Sequence, residues 1–148
     1  MPRNLSKAEL LVKEYEGFRG EAYKCPAGVW TIGYGSTKGV KEGDKITKEE
    51  ADKLFAKEFA EFAKQVEKLA GKDTSDMKLG AMTSLAYNIG MANFKASSVL
   101  KYHLAKDYSK AGACFGLWNK ATVNGKKVVL KGLVRRRDTE TKLYRGEL

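Results

Sequence analysis

An α+β fold, with a small β-rich patch near the N-terminus and helices beyond it, is predicted by three features of this 148-residue sequence. The apolar positions change period, alternating between Glu21 and Tyr34 and then recurring at steps of three and four from Phe55 onward. Glycines crowd the stretch from Gly17 to Gly43, where Cys25-Pro26-Ala27-Gly28 makes a turn between two strand-like runs. Thr47 followed by Glu50 forms a capping box at which a long helix begins. Strands collected ahead of a helical remainder are the α+β pattern.

The elements follow in order. Ser6 and Glu9 read as a first capping box, opening a helix through Leu10, Leu11, Tyr15 and Phe18 that Gly17 and Gly20 close. Ala22–Lys24 and Val29–Tyr34 read as strands, and a further short strand is expected near Val40–Ile46. In the second strand Gly33 and Gly35 alternate with Ile32 and Tyr34, which predicts a close approach by another backbone or a ligand. From Thr47 a long amphipathic helix carries Phe55, Phe59, Phe62, Val66 and Leu69 to Gly71; an aromatic stripe at this spacing is core. Asp73-Thr74-Ser75 caps the next helix, which runs through Leu79, Met82, Leu85, Ala86 and Ile89 to Gly90. Shorter helices are expected at Ser98–Lys106, Ser109–Asn119 and Val134–Arg145. Residues 1–148 are expected to form one domain, long enough to bury a core without staples, with a small lobe over residues 15–50, a helical lobe, and a cleft between them.

Charge bounds the partners only loosely. Lysine and arginine number 28 against 18 acidic residues, a formal charge of +10 that favours nucleic acid, anionic lipid head groups or an acidic cell-wall polymer. The cations are scattered except at Arg135–Arg137, which are expected on a solvated helix packed through Leu133, Val134 and Leu143. Weak, salt-dependent affinity for DNA rather than specific recognition follows. Cys25 and Cys114 are too few for a disulfide framework and read as free thiols from a reducing compartment. The opening "MPRNLSKAELL" has no apolar run ahead of its charges, and no stretch reaches the roughly 18 apolar residues of a membrane span, so neither export signal nor span is expected. His103, the only histidine, has no partners at metal-ligand spacing; it is expected at the surface or its boundary, and no metal or cofactor is expected.

Three polar residues carry the chemistry. Glu16 ends the first helix, Cys25 opens the hairpin turn and Thr31 lies on the second strand, so all three can face one cleft. Cleavage of a glycosidic bond requires a proton donor for the leaving oxygen and a second group for water or the anomeric carbon. A glutamate at a helix end beside an apolar hairpin suits the acid, and a hydroxyl can hold a water. Cys25 stands where a second acid is wanted, with three roles open to it: a thiolate activated by the neighbouring Lys24 and Arg19, a structural or regulatory thiol able to pair with Cys114, or the mark of a disabled site.

The residues Glu16-Gly17, Arg19, Ala22-Tyr23, Cys25, Gly28 and Thr31-Ile32-Gly33-Tyr34-Gly35 resemble the catalytic hairpin of the phage-type lysozymes, the endolysins of glycoside hydrolase family 24. "LAYNIG" at Leu85–Gly90, Asn93-Phe94, "LWNKA" at Leu117–Ala121 and "GLVRRR" at Gly132–Arg137 resemble later landmarks of that family in the same order. The resemblance implies a two-lobed lysozyme-like fold joined by a long helix, and hydrolysis of the β-1,4 bond between N-acetylmuramic acid and N-acetylglucosamine in bacterial peptidoglycan. It implies Glu16 as general acid, Cys25 in the place of the usual aspartate, and Thr31 positioning water. Endolysins of this class are held in the host cytoplasm until a holin opens the inner membrane, and a monomer is expected. Two departures stand out: Ser36 where the family often has histidine, and Lys131 where proline is frequent, which reads as a loop variation. Tyr34, Asn88 and Trp118 are candidate sugar contacts, with Asn88 equally suited to cap its helix and Trp118 better suited to fill the core. A lytic transglycosylase, which needs one acid only, and a murein-binding protein with a crippled site are the alternatives.

Overall fold

The computed structural model describes residues 3–148; Met1 and Pro2, which begin the predicted domain and the opening stretch, lie outside them. The chain runs α1 (Ser6–Glu16), β1 (Arg19–Lys24), β2 (Trp30–Gly33), α2 (Lys48–Ala70), α3 (Asp76–Ile89), α4 (Met91–Ala96), α5 (Ser98–Leu104), α6 (Tyr108–Cys114), a 3₁₀ turn (Phe115–Leu117), β3 (Lys120–Val123), β4 (Lys126–Val129) and α7 (Lys131–Tyr144). The result is α+β, with two separate antiparallel hairpins among helices.

α2 is the long helix the capping box announced. The Thr47 hydroxyl accepts from the Glu50 N–H at 3.1 Å, and the Glu50 carboxylate accepts from the Thr47 N–H at 3.0 Å. Phe55, Phe59 and Val66 are buried along one face, as the spacing requires. One end of α2 touches β2 and its length packs on α3 and α5. Aromatic rings carry this connection: Tyr34 meets Phe18 at 5.9 Å and Phe55 at 5.7 Å between centroids, and Phe55 stacks on Phe59 at 5.4 Å. Lys13 of α1 caps the junction, 5.3 Å from the Tyr34 ring, 5.2 Å from Phe55 and 3.2 Å from the Asp52 carboxylate. The hairpin β1–β2 is thereby anchored to the helices by contacts between large rings, each favourable by about 0.5–1.5 kcal/mol beyond its area.

α3 is the hub. Every residue from Leu79 to Ala86 is buried, and α1, α2 and α7 all pack on it. A helix buried all round loses the amphipathic stripe and becomes apolar on every face, apart from hydroxyls that find partners: Thr83 donates to the Leu79 carbonyl at 2.7 Å and Ser84 to Glu140 of α7.

Three expectations are corrected, and two elements were not foreseen. Ser6 is the first helical residue of α1 rather than its cap, and its hydroxyl donates to the Asn4 side chain; Leu5 holds the cap position and has no polar side-chain atom with which to cap. No continuous strand forms at 40–46; Lys45 makes a single bridge to Glu21. Lys131 is not a loop residue but the first position of α7, which explains why proline suits that position: the missing N–H would bond to nothing there. The second hairpin and α4 were not expected. Val123-Asn124-Gly125-Lys126 is nevertheless a strong hairpin signal, and Asn124 and Gly125 both take the left-handed conformation such a two-residue turn requires, at φ of 50° and 79°.

Candidate active site

Glu16 is the last residue of α1, and Gly17 ends the helix with its N–H on the Lys13 carbonyl at 2.9 Å. The Glu16 carboxylate is held on two sides. Oε2 accepts from Arg136 Nη1 at 2.7 Å, and Oε1 lies so close to Gly35 that a β-carbon there would stand 2.8 Å away. The close approach predicted for the alternating glycines is therefore made by the candidate acid itself. Its surroundings are ionic rather than the apolar pocket the sequence suggested.

Arg136 belongs to a buried charge network. Its Nε donates to Glu140 Oε2 at 3.3 Å and its Nη2 to the Ser84 carbonyl at 3.1 Å. Arg137 donates to Glu140, to the Asn88 side chain, and from Nε to the Trp118 carbonyl at 2.8 Å. Ser84 also donates to Glu140. Among the described residues, no buried side-chain nitrogen or oxygen lacks a partner. Arg136 and Arg137 are thus not on a solvated face; only Arg135 of the three is exposed. Burial lowers the Arg137 pKa, and Glu140 opposes that shift. Because Arg136 serves Glu140 as well as Glu16, its charge is divided between two carboxylates.

Cys25 opens the β1–β2 turn. Its N–H donates to the Val29 carbonyl at 3.0 Å, and its carbonyl accepts from the Gly28 N–H at 2.8 Å. Burial works to raise the thiol pKa, but hydrogen bonds from the backbone of Val29, Ala27 and Gly28 and from the Thr31 hydroxyl outweigh it, and the net shift is downward. The expected cationic activators are engaged elsewhere: Arg19 lies over the Tyr23 ring at 4.5 Å and Lys24 over Trp30 at 5.4 Å. Turn amides replace them. Thr31 is buried behind the turn, opposite Tyr23 in the strand register, and its hydroxyl donates to the Val29 carbonyl at 2.9 Å. That single proton can turn to the sulfur once the thiol ionises. The Tyr23 phenol is raised chiefly by burial, is lowered by Arg19, and is raised further by both Glu16 and Cys25, so the two groups lie within electrostatic reach of one ring. Cys25 and Cys114 are both free.

An open cleft of ≈ 890 Å³ begins at the Cys25 turn, crosses the end of α3 at Asn88 and Ile89, and reaches Trp118 and the β3–β4 hairpin. Asn88 and Trp118 both face it, and the Trp118 ring also packs on the core. Arg137 ties the Asn88 side chain to the Trp118 main chain, so one buried cation sets two of the three candidate sugar contacts. Tyr34 stands apart: it is 5% exposed, its ring is in the aromatic junction, and its carbonyl accepts from Tyr87 at 2.8 Å. Ser36 is buried too, donating to Glu58 of α2. His103 is not at the surface but buried between Thr74 Oγ1 at 3.1 Å and Tyr144 OH at 2.7 Å. Among the described residues no group of three or more His, Cys, Asp or Glu is placed to hold a metal ion. Sequence reading missed Arg136, Arg137 and Glu140; the i+3 and i+4 spacing of the acid from the two arginines is the signal that could have found them.

Comparison with known proteins places the fold in a family. The Phage lysozyme family model matches residues 13–140. An endolysin of Acyrthosiphon pisum secondary endosymbiont phage 1 is 41% identical over 138 residues, covering 93% of this chain and 94% of that protein. A SAR-endolysin of Pseudomonas phage phiKMV is 36% identical over 127 residues, covering 86% of this chain and 79% of its own length. Among solved structures, an endolysin from Escherichia coli O157:H7 phage FAHEc1 superimposes with a TM-score of 0.88 at 35% identity, covering 100% of this chain and 96% of that one. Fold and relatives together define a peptidoglycan-hydrolysing glycosidase of the endolysin type. The chain belongs to the phage lysozyme family.

Proposed function

We propose that this muramidase cleaves the β-1,4 bond between N-acetylmuramic acid and N-acetylglucosamine with Glu16 as proton donor and the Cys25 thiolate as base. Water attacks the anomeric carbon and gives its proton to the sulfur, the glycosidic C–O bond breaks, and the Glu16 proton goes to the leaving oxygen. The observation that supports this most is the turn around Cys25: three backbone contacts and the Thr31 hydroxyl favour the thiolate at a place where the family carries an acid. Thr31 orients the sulfur and the water it activates. Arg136 and Gly35 fix the acid, and Asn88 with Trp118 line the cleft where the sugar chain lies. The chain acts as one domain and as a monomer. It is held in the host cytoplasm until a holin opens the inner membrane, a reading that rests on the family resemblance of the sequence alone. No helix of the described residues is long and apolar enough to cross a membrane.

The test is a digest of purified peptidoglycan under reducing conditions, with products resolved by mass spectrometry. Disaccharide-peptides with new reducing ends are expected. Glu16→Gln should lower turnover by about 10²–10⁴-fold, and alkylation of Cys25 should abolish it with a rate midpoint below the pH of an ordinary free thiol. Anhydro ends would mean a transglycosylase; a folded, wall-binding protein that releases nothing would mean a disabled site.

A further inference from the structure

The turn that meets Glu16 is tethered to α2 and α3, one on each side of Gly35. Ser36 and Ile32 exchange backbone hydrogen bonds, each of 2.9 Å, which closes the chain over Gly33, Tyr34 and Gly35. Before Gly35, the Tyr34 carbonyl accepts from the Tyr87 hydroxyl of α3 at 2.8 Å. After it, the buried Ser36 hydroxyl donates to Glu58 Oε1 of α2. Between the two tethers Gly35 lies so near Glu16 that a β-carbon would stand 2.8 Å from Oε1. The tethers are themselves anchored. The Tyr87 ring packs on Phe55 at 5.6 Å and on Phe62 at 5.3 Å between centroids. Glu58 belongs to none of the ion pairs of the described residues, and the Ser36 hydroxyl is its hydrogen-bond partner. Burial raises the Tyr87 phenol pKa, Glu58 and Glu16 raise it further, and Ser36 and Arg136 oppose them; both carboxylates thus lie within electrostatic reach of one phenol.

We infer that Ser36 and Glu58 are positioning residues for the hydrolysis: their bond, with that of Tyr87, fixes Gly35 and so fixes where the Glu16 carboxyl stands. A hydroxyl on a carboxylate makes a charge-assisted bond, about twice as strong as one between neutral groups. Losing it frees the turn at one flank only, so the fold survives while the acid loses its exact place. Misplacement is costly, since a shift of about 1 Å lowers a rate on the order of 100-fold. None of Ser36, Glu58 and Tyr87 lines the cleft, so each acts through the backbone of the turn and not on the sugar. The inference rests on the reading of Glu16 as proton donor.

Turnover of soluble murein fragments and thermal melting test it together. Ser36→Ala is expected to lower kcat about tenfold with KM unchanged, the pattern of an interaction that counts only in the transition state. Glu58→Ala should lose as much, and the double variant no more than either single one. Glu58→Gln, which keeps an oxygen for the hydroxyl, should regain most of that loss. Tyr87→Phe, which keeps the ring and removes the other tether, should lower kcat in the same way. Thr74→Ala is the structural control: it removes another buried hydroxyl, bonded to the Ala70 carbonyl at 3.2 Å and to His103, and should lower the melting temperature without touching kcat. A parent kcat in Ser36→Ala overturns the inference, as do losses that multiply in the double variant, or a kcat loss in Thr74→Ala as large as that in Ser36→Ala. Glu16→Gln with the parent's rate would refute the acid assignment and this inference with it, whereas an inactive Glu16→Gln beside a fully active Ser36→Ala refutes the inference alone.

Discussion

Replacing Gly35 by alanine isolates what the hairpin does for Glu16, the proposed proton donor. Gly35 has φ of 85°, and its new β-carbon would stand 2.8 Å from Glu16 Oε1 and 3.2 Å from the carboxyl carbon. Two separate costs arise. The left-handed backbone costs an alanine about 1–2 kcal/mol, which for a domain of this size lowers Tm by roughly 2–8 °C. The contact costs function, because a normal carbon–oxygen separation requires the carboxylate to retreat by a few tenths of an ångström or more. A carboxylate on a free side chain would swing aside, but Arg136 holds this one at 2.7 Å from a guanidinium that is itself buried. Displacement near 1 Å costs on the order of 100-fold in rate. Gly39→Ala supplies the control: φ there is 71° and a β-carbon meets nothing within 4 Å. Thermal melts and turnover of soluble murein fragments should show similar loss of stability in both variants, with activity lost only in Gly35→Ala. If Gly35→Ala keeps its kcat, or Gly39→Ala loses as much, Glu16 is not positioned by this contact.

Two further outcomes follow from buried charge. Glu140→Gln removes the anion shared by Arg136 and Arg137 and should cost about 3–5 kcal/mol in denaturant unfolding, while Lys142→Gln, which breaks the exposed pair with Asp138 at 3.3 Å, should stay within about 0.5 kcal/mol. For His103, burial and then the Lys78 charge lower the imidazole pKa, opposed by the Ala70 backbone and by Asp73. A histidine that is harder to protonate when folded favours unfolding as the unfolded chain takes up its proton. Its contribution is complete above about pH 6.5 and is lost as the pH falls through the depressed folded value. Melting temperature should therefore drop between pH 7.5 and 5 more steeply in the parent than in His103→Asn; parallel slopes would place that acid sensitivity elsewhere.

How far the sequence could be read depends on which interactions are local. α2 was legible because its cap, its aromatic stripe and its terminal glycine all lie within one continuous segment, and the β1–β2 turn was legible for the same reason. The neighbourhood of Cys25 and Thr31 could be read because one hairpin brings them together over six positions. The Arg136–Glu16 pair could not, since it joins residues 120 positions apart. Nor could the burial of His103, whose partners Thr74 and Tyr144 come from different elements. The β3–β4 hairpin is a different kind of failure: Asn124-Gly125 announced it locally, but its strands are exposed and weakly apolar, so no alternating burial pattern drew attention to them.

If the proposed mechanism holds, the geometry accounts for a sulfur taking the place of a carboxylate at position 25 and excludes one at position 16. At Cys25 the stabilising groups are backbone amides of a tight turn, whose positions are fixed by the fold and which favour any anion placed among them. A thiolate draws on them as a carboxylate would, and the Thr31 proton can follow the charge. At Glu16 the partner is a planar guanidinium already bonded to Glu140 and to the Ser84 carbonyl, and it needs an oxygen at hydrogen-bond distance on a side chain long enough to reach both Arg136 and Gly35. A cysteine there would fall short of the arginine and leave a buried cation with one partner fewer. The two halves of the site therefore differ in tolerance: the turn accepts a class of anions, whereas the helix end accepts one side chain.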